Sequence, residues 1–432
     1  MGRERRSCRS LSTRIRRAMK CANPMCSRTN VGRACTTIAL LVLLTSCGAQ
    51  DDQSGMVMPS SSTRTIVTGA ERMERYLPFL QGKRVAVASN HTGTVGRSHI
   101  VDTLLSAGVT VVKVFAPEHG FRGTADAGEH VTNEQDARTG LPIVSLYGRN
   151  KKPTAQQLAD VDVVLFDIQD VGVRFYTYIS TLHYVMEACA ENGKALIVLD
   201  RPDPNGFYVD GPVLDTAFRS FVGMHPVPLV HGMTIGEYAN MINGEGWLKL
   251  GVKCDLKVIT CIGYDHTVHY DLPIRPSPNL PNMAAVYLYP SLGLFEGTMV
   301  SVGRGTEQPF QCIGFPGWSK GDFAFTPRSM PGAKDPPYKD TTCNGLDLRE
   351  YGEFITRLEP RVHLEWLIAT YGAARDRSRF FTPFFDRLAG GKALREAVMR
   401  GESEEGIRAS WEPGLKKFGA VRKKYLLYKD VH

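Results

Sequence analysis

The sequence predicts an α/β protein, a Rossmann-like doubly wound parallel sheet with a second, mixed α+β auxiliary domain. Two observations carry this. Between residues 84 and 260 short β-branched runs alternate with amphipathic stretches, and the runs are nearly continuous in apolar residues, as strands buried on both faces are. Beyond about residue 273 the alternation stops and Pro and Gly thicken (PIRPSPNLPN, GFPGWSKGDF, RSMPGAKDPP). With 432 residues, 43% apolar and 22% charged, the chain can bury a sizeable core and is no polytopic membrane protein.

In chain order the predicted strands are Arg84–Ser89, Thr110–Ala116, Pro142–Leu146, Val161–Ile168, Lys194–Leu199 and Asp255–Thr260. Helices are predicted at Ser98–Ser106, Thr154–Ala159 and Thr177–Asn192. In the last, Ile179, Leu182, Met186 and Cys189 share one face and Gly193 ends the helix. Further helices are expected near Leu346–Thr356 and Glu365–Tyr371. The domains read as 71–275, the Rossmann-like catalytic domain, and 276–432, an auxiliary domain closing a cleft.

Ten of the 52 basic residues and one of the 44 acidic residues lie in residues 1–46, so the rest of the chain is nearly neutral and no nucleic-acid surface is expected. The apolar run Thr36–Leu44 is too short to span a bilayer, which takes about 20 residues. Basic residues precede it and small ones follow, the order of a secretory signal. Leu44-Thr45-Ser46-Cys47 resembles a bacterial lipobox, so residues 1–46 read as a lipoprotein signal peptide and Cys47 as the lipidation site. Gly48 after the Cys favours the outer membrane, with the protein facing the periplasm. Residues 47–70 read as a flexible tether with a reach of about 25 Å. Five cysteines remain in the body, Cys189, Cys254, Cys261, Cys312 and Cys343, with no C-x-x-C spacing. One disulfide is compatible with an oxidising compartment, and no metal site is expected.

Open parallel sheets bind ligands beyond the carboxyl ends of their strands. The residues there are Asn90 after the first run; Glu118, His119 and Arg122 after the second; Asp167, Gln169, Asp170, Arg174 and Tyr176 at the end of the fourth; and Asp200, Arg201 and Asn205 after the fifth. Carboxylates, amides and aromatic faces in one rim suit a polyhydroxylated ligand. Sugar chemistry uses a carboxylic acid to protonate the leaving oxygen. Glu118, between Phe115 and Phe121, is the candidate, since apolar surroundings favour the protonated form. The first strand is not followed by G-x-G-x-x-G, so no nucleotide cofactor is expected. Gly317-Trp318-Ser319-Lys320-Gly321 matches G-x-S-x-G but lies in a loop-like stretch, against the strand–helix context a serine hydrolase needs.

Six motifs then occur in order: FAPEHGFRG (Phe115–Gly123), DIQDVGVRFYTY (Asp167–Tyr178), DRPDPNG (Asp200–Gly206), PSPNLP (Pro276–Pro281), YPSLGLFEGT (Tyr289–Thr298) and VGRGTEQPFQCIG (Val302–Gly314). Together they resemble the NamZ-type exo-β-N-acetylmuramidases, over about residues 71–432. The resemblance implies a cleft between two domains and release of N-acetylmuramic acid from the non-reducing end of peptidoglycan fragments. It assigns Glu118 as the catalytic acid and adds Asn279, Glu296 and Arg304 to the cleft-lining candidates. Asp167, Asp170 or Glu296 would supply a second carboxylate, either to activate water or to stabilise oxocarbenium charge, and a third route has the substrate acetamide assist with no protein nucleophile. Arg122, Arg174, Arg201 or Arg304 would pair with the lactyl carboxylate of muramic acid. The alternative is a non-catalytic peptidoglycan-binding lipoprotein on the same scaffold.

Overall fold

The computed structural model describes residues 65–118, 120–122 and 134–430. The leader, Cys47 and His119 lie outside the described residues. Seven strands form the main sheet: β1 (Arg84–Ser89), β2 (Thr110–Ala116), β3 (Glu134–Gln135), β4 (Pro142–Ser145), β5 (Val163–Asp167), β6 (Ala195–Leu199) and β7 (Asp255–Ile259). Their spatial order is β3-β4-β2-β1-β5-β6-β7. All pairings are parallel except that of the edge strand β3 with β4. Without β3 this is the Rossmann order, whose direction reverses between β1 and β5.

The apolar runs are strands because both of their faces are covered. Side chains alternate across a strand, and here the alternation sorts them into two cores. Ala86, Ala88, Val164, Phe166, Leu196 and Val198 face one side. Val85, Val87, Leu165, Ile197 and Leu199 face the other. Helices α1 (Met73–Leu80) and α2 (Ile100–Ser106) cover the second face, through Tyr76, Leu80, Ile100 and Leu104. The short α3 (Ala155–Leu158) opens on a capping box at Thr154 and Gln157. Helices α4 (Tyr178–Glu191) and α5 (Ile235–Gly244) cover the first face. The stripe Ile179, Leu182, Met186 and Cys189 of α4 is at most 1% exposed, and Gly193 follows it with φ +63°. Folded structure starts before residue 71: Val67 pairs with Ile262, and Ala70 is buried, so the end of the expected tether packs on the domain.

The second domain carries a small antiparallel sheet, β8 (Cys312–Phe315), β9 (Phe323–Phe325) and β10 (Cys343–Asp347), with β10 in the middle. Around it lie α6 (Met283–Leu292), α7 (Arg349–Leu358), α8 (Glu365–Ala373), α9 (Pro383–Ala389), α10 (Ala393–Arg400) and α11 (Glu404–Arg422). The larger core continues into this part through Leu288, Phe295, Phe310 and Trp366. The five body cysteines are buried free thiols.

Candidate active site

A cavity of about 470 Å³ opens beside the carboxyl ends of β2, β4 and β5. Glu118, two residues past β2, and Tyr147, two past β4, line it together with Phe175–Tyr178 from the loop after β5. The opposite wall comes from the second half of the chain: Ser277, Asn279 and Leu280, then Tyr289, Glu296, Arg304 and Phe310. Two hydrogen bonds fasten that wall. Tyr176 Oη donates to the Pro276 carbonyl at 2.8 Å, and a His91 ring nitrogen lies 2.9 Å from the Arg275 carbonyl.

Glu118 is held from the start of α4. Thr177 occupies the N-cap position, where a hydroxyl ordinarily accepts a bond from the first turn. Its side chain makes no such cap bond; instead its Oγ1 donates to Glu118 Oε2 at 3.0 Å. Next to it Asn90 Nδ2 donates to Tyr178 Oη at 2.9 Å, and Asn90 Oδ1 accepts from the backbone N–H and hydroxyl of Thr92. Tyr176 and Tyr178 meet edge to face at 4.8 Å. Burial, then the charge of Glu118, pushes the Tyr178 phenol well above its usual range, so it stays neutral.

Across the cavity Glu296 Oε1 and Arg304 Nη1 lie 2.5 Å apart. Arg304 leaves a turn shaped by Gly303 and Gly305, with φ of +75° and +82°. A Cβ on Gly305 would stand 2.6 Å from the Arg328 carbonyl oxygen, so glycine is required there. Phe310 lines the cavity at φ +55°, a left-handed conformation that a bulky residue seldom takes. Its N–H donates to Val302 O at 2.7 Å, and its ring meets Tyr289 edge to face at 5.0 Å. An aromatic ring held strained against a cavity is a common feature of a binding site.

Of the residues expected at the site, Glu118, Tyr176, Asn279, Glu296 and Arg304 share this cavity. The other described ones hold the loops that shape it. Asp167 and Arg201 form a buried bidentate pair, at 2.6 and 2.9 Å. Gln169 bonds the carbonyls of Asp170 and Pro202, and Asn205 those of Val171 and Val286. Asp200 accepts from Tyr428 Oη, Thr234 Oγ1 and the Gly236 N–H. Asp170 accepts from the Gly172 N–H. Arg174, wholly buried, donates to the carbonyls of Pro212, Val227 and Leu388, and burial lowers its guanidinium to about 10. Arg122 pairs with Asp136 at 2.8 Å and lies 3.7 Å from Asp102. Asp167 and Asp170 as second carboxylates, and Arg122, Arg174 and Arg201 as lactyl partners, are therefore engaged away from the cavity. Among the described residues no group of three His, Cys, Asp or Glu is placed to hold a metal ion.

Sequence reasoning missed Tyr147, Lys151, Phe221, Val222 and Phe384, all of which line the cavity. The strand-end rule would have found Tyr147. Phe221 and Val222 come from a long stretch without periodicity and carried no such signal. The G-x-S-x-G match lies between β8 and β9 rather than between a strand and a helix, and Ser319 faces a separate cavity.

Asp170 and Asp200 are at most 3% exposed, and burial pushes both carboxyls up to about 7. An unfolded carboxyl titrates near about 4. Between those values the folded chain holds protons that the unfolded chain has released. Their contribution to stability is complete below about pH 4 and is lost as pH rises through about 7. The melting temperature is expected to fall less in Asp170→Asn than in the parent between about pH 5 and about pH 8. Thermal unfolding followed by circular dichroism checks this; parallel curves would refute it.

Among known proteins, the chain is 36% identical over 416 residues to the peptidoglycan β-N-acetylmuramidase NamZ of Bacillus subtilis (strain 168), covering 91% of this chain and 98% of that one. Two crystal structures of DUF1343 family proteins from Bacteroides fragilis NCTC 9343 share the fold. One has a TM-score of 0.79 at 47% identity, covering 85% of this chain and 99% of the other. The second has a TM-score of 0.70 at 31% identity, covering 85% and 100%. A cavity with two carboxylates and aromatic walls, on this fold and with this kinship, defines a glycosidase. More particularly, the chain belongs to the NamZ exo-β-N-acetylmuramidase family, whose N-terminal and C-terminal sequence models match residues 85–284 and 287–428.

Proposed function

We propose that the protein releases N-acetylmuramic acid from the non-reducing end of peptidoglycan fragments, with Glu118 as general acid. The observation that carries the reading is that Glu118 and Glu296 line one aromatic-walled cavity. The activity of the Bacillus subtilis relative supports the choice of sugar. In the reaction the Glu118 carboxyl gives its proton to the glycosidic oxygen, which keeps the electrons of the breaking C1–O bond. Thr177 fixes the carboxyl through Oε2, and in this reading Oε1 carries the proton to the substrate. Positive charge builds on C1 and the ring oxygen. Of the three expected second carboxylates only Glu296 faces this cavity, so Glu296 takes the proton of the attacking water. Tyr289 and Phe310 pack on the apolar face of the sugar.

Residues 1–46 direct export in this reading, and lipid on Cys47 anchors the protein to the outer membrane, facing the periplasm. The support is the sequence of the leader. One experiment tests activity and location together. Membrane and soluble fractions of cells expressing the full chain are incubated with a disaccharide ending in N-acetylmuramic acid. Release of the free sugar is expected in the membrane fraction, moving to the soluble fraction in Cys47→Ala. Binding of the disaccharide without release would favour a wall-binding protein and sink the proposed activity.

A further inference from the structure

Among the described residues two cations line the cavity, Arg304 and Lys151. Arg304 is already matched by Glu296. Lys151 is not matched: among the described residues it has no carboxylate partner, while its neighbour Lys152 is bound to Glu187 and Glu191 at 2.7 and 2.6 Å. The other cavity carboxylate, Glu118, is bonded by Thr177. Lys151 Nζ lies 4.5 Å from the centre of the Phe221 ring, a cation–π contact that steers the ammonium without neutralising it. Phe221 is itself fixed. Its carbonyl accepts from Ser180 Oγ at 2.7 Å, and its ring stacks with Tyr184 at 6.2 Å and 13°. Phe221 and Val222 both line the cavity and are partly exposed there.

An unmatched ammonium beside a small apolar surface fits a ligand group that combines a carboxylate with a methyl. The lactyl ether of muramic acid is such a group, and it distinguishes that sugar from N-acetylglucosamine. We propose that Lys151 is the specificity-determining residue of this site: its ammonium binds the free lactyl carboxylate of the substrate, and Phe221 and Val222 take the lactyl methyl. This rests on the reading that the substrate ends in N-acetylmuramic acid. It moves recognition of the anion from the arginines, where the sequence put it, to a lysine.

The test compares two chromogenic substrates, 4-nitrophenyl β-N-acetylmuramide and its lactyl methyl ester, on the parent enzyme, Lys151→Met and Lys151→Arg. A charge-assisted contact implies that the parent prefers the acid by about tenfold or more in kcat/KM. Lys151→Met is expected to collapse that preference toward one, mainly through KM. Lys151→Arg is expected to restore a large part of it. Added salt should narrow the parent's preference and leave that of Lys151→Met unmoved. Equal losses on both substrates, or a preference that survives in Lys151→Met, would overturn the assignment. Calorimetric titration with free N-acetylmuramic acid reads binding separately from turnover. Weaker binding in Lys151→Met supports the lysine even if the parent hydrolyses neither substrate, an outcome that counts against the proposed activity alone. Equal binding by parent and variant, or none by the parent, overturns the lysine.

Discussion

Glu118→Gln is expected to lower kcat on a natural disaccharide by about 10²- to 10⁴-fold, the range that general acid catalysis contributes. The amide keeps an oxygen to accept the Thr177 hydroxyl, so the loop should stay in place. What the variant loses is the proton. Leaving-group dependence isolates that loss. A 2,4-dinitrophenyl glycoside departs without protonation, so its rate of glycosidic bond cleavage should fall far less than that of the disaccharide. Steady-state and single-turnover rates on both substrates, with a melting curve as a check on folding, decide the matter. An equal fall on both would deny Glu118 the role of acid, and full activity on the disaccharide would remove it from the reaction.

The second large effect is on stability. Arg201→Met should cost about 3–5 kcal/mol, because it leaves the Asp167 carboxylate buried without its partner. Both side chains are at most 5% exposed. Arg201 also donates to the Thr94 carbonyl, and the Asp167 carbonyl accepts from Ser89 Oγ, so the pair joins the ends of β1, β5 and β6. Asp167→Leu combined with Arg201→Met should be more stable than either single change, since replacing both charges by apolar groups removes the stranded one. Chemical denaturation of the four proteins checks this. A loss below about 1 kcal/mol in Arg201→Met would mean that water reaches the carboxylate.

The six parallel strands of the main sheet were legible to within two residues at each end, because burial on both faces writes a continuous apolar run into the sequence; the two-residue antiparallel edge strand β3 was not. Helix α4 was legible through its spacing. Helix α6 was not. Nine of its ten residues are buried, so it shows no period, and Pro290 lies inside it. Pro413 lies inside α11, together with Gly406, Gly414 and Gly419, and hides the Ile407, Trp411 and Phe418 stripe in the same way. At the site, the place of Glu118 in the cavity was legible because it lies just past a strand end. Asp167, Asp200 and Arg174 occupy similar positions and yet serve the scaffold. Residue type cannot separate a polar group that awaits a ligand from one that ties down a loop. That distinction depends on which partners the fold brings near. Lys151 shows the converse: one of two adjacent lysines is consumed by carboxylates of α4 and the other is left for the cavity.

The reversal point between β1 and β5 is where nucleotide-binding members of this architecture seat a pyrophosphate. Here the chain plugs it with its own hydrogen-bonded side chains: Asn90 and Thr92 close over the first strand, the Gln169 N–H donates to Thr92 Oγ1, and a Cβ on Gly93 would stand 2.1 Å from Ser89 Oγ. The cavity lined by Glu118 and Tyr147 is displaced sideways, toward β2 and β4. Chassis and chemistry are thereby uncoupled. The plug can be kept rigid for the sake of the sheet, while the segments around Tyr147, Lys151 and Phe221 remain free to be rewritten for other sugars.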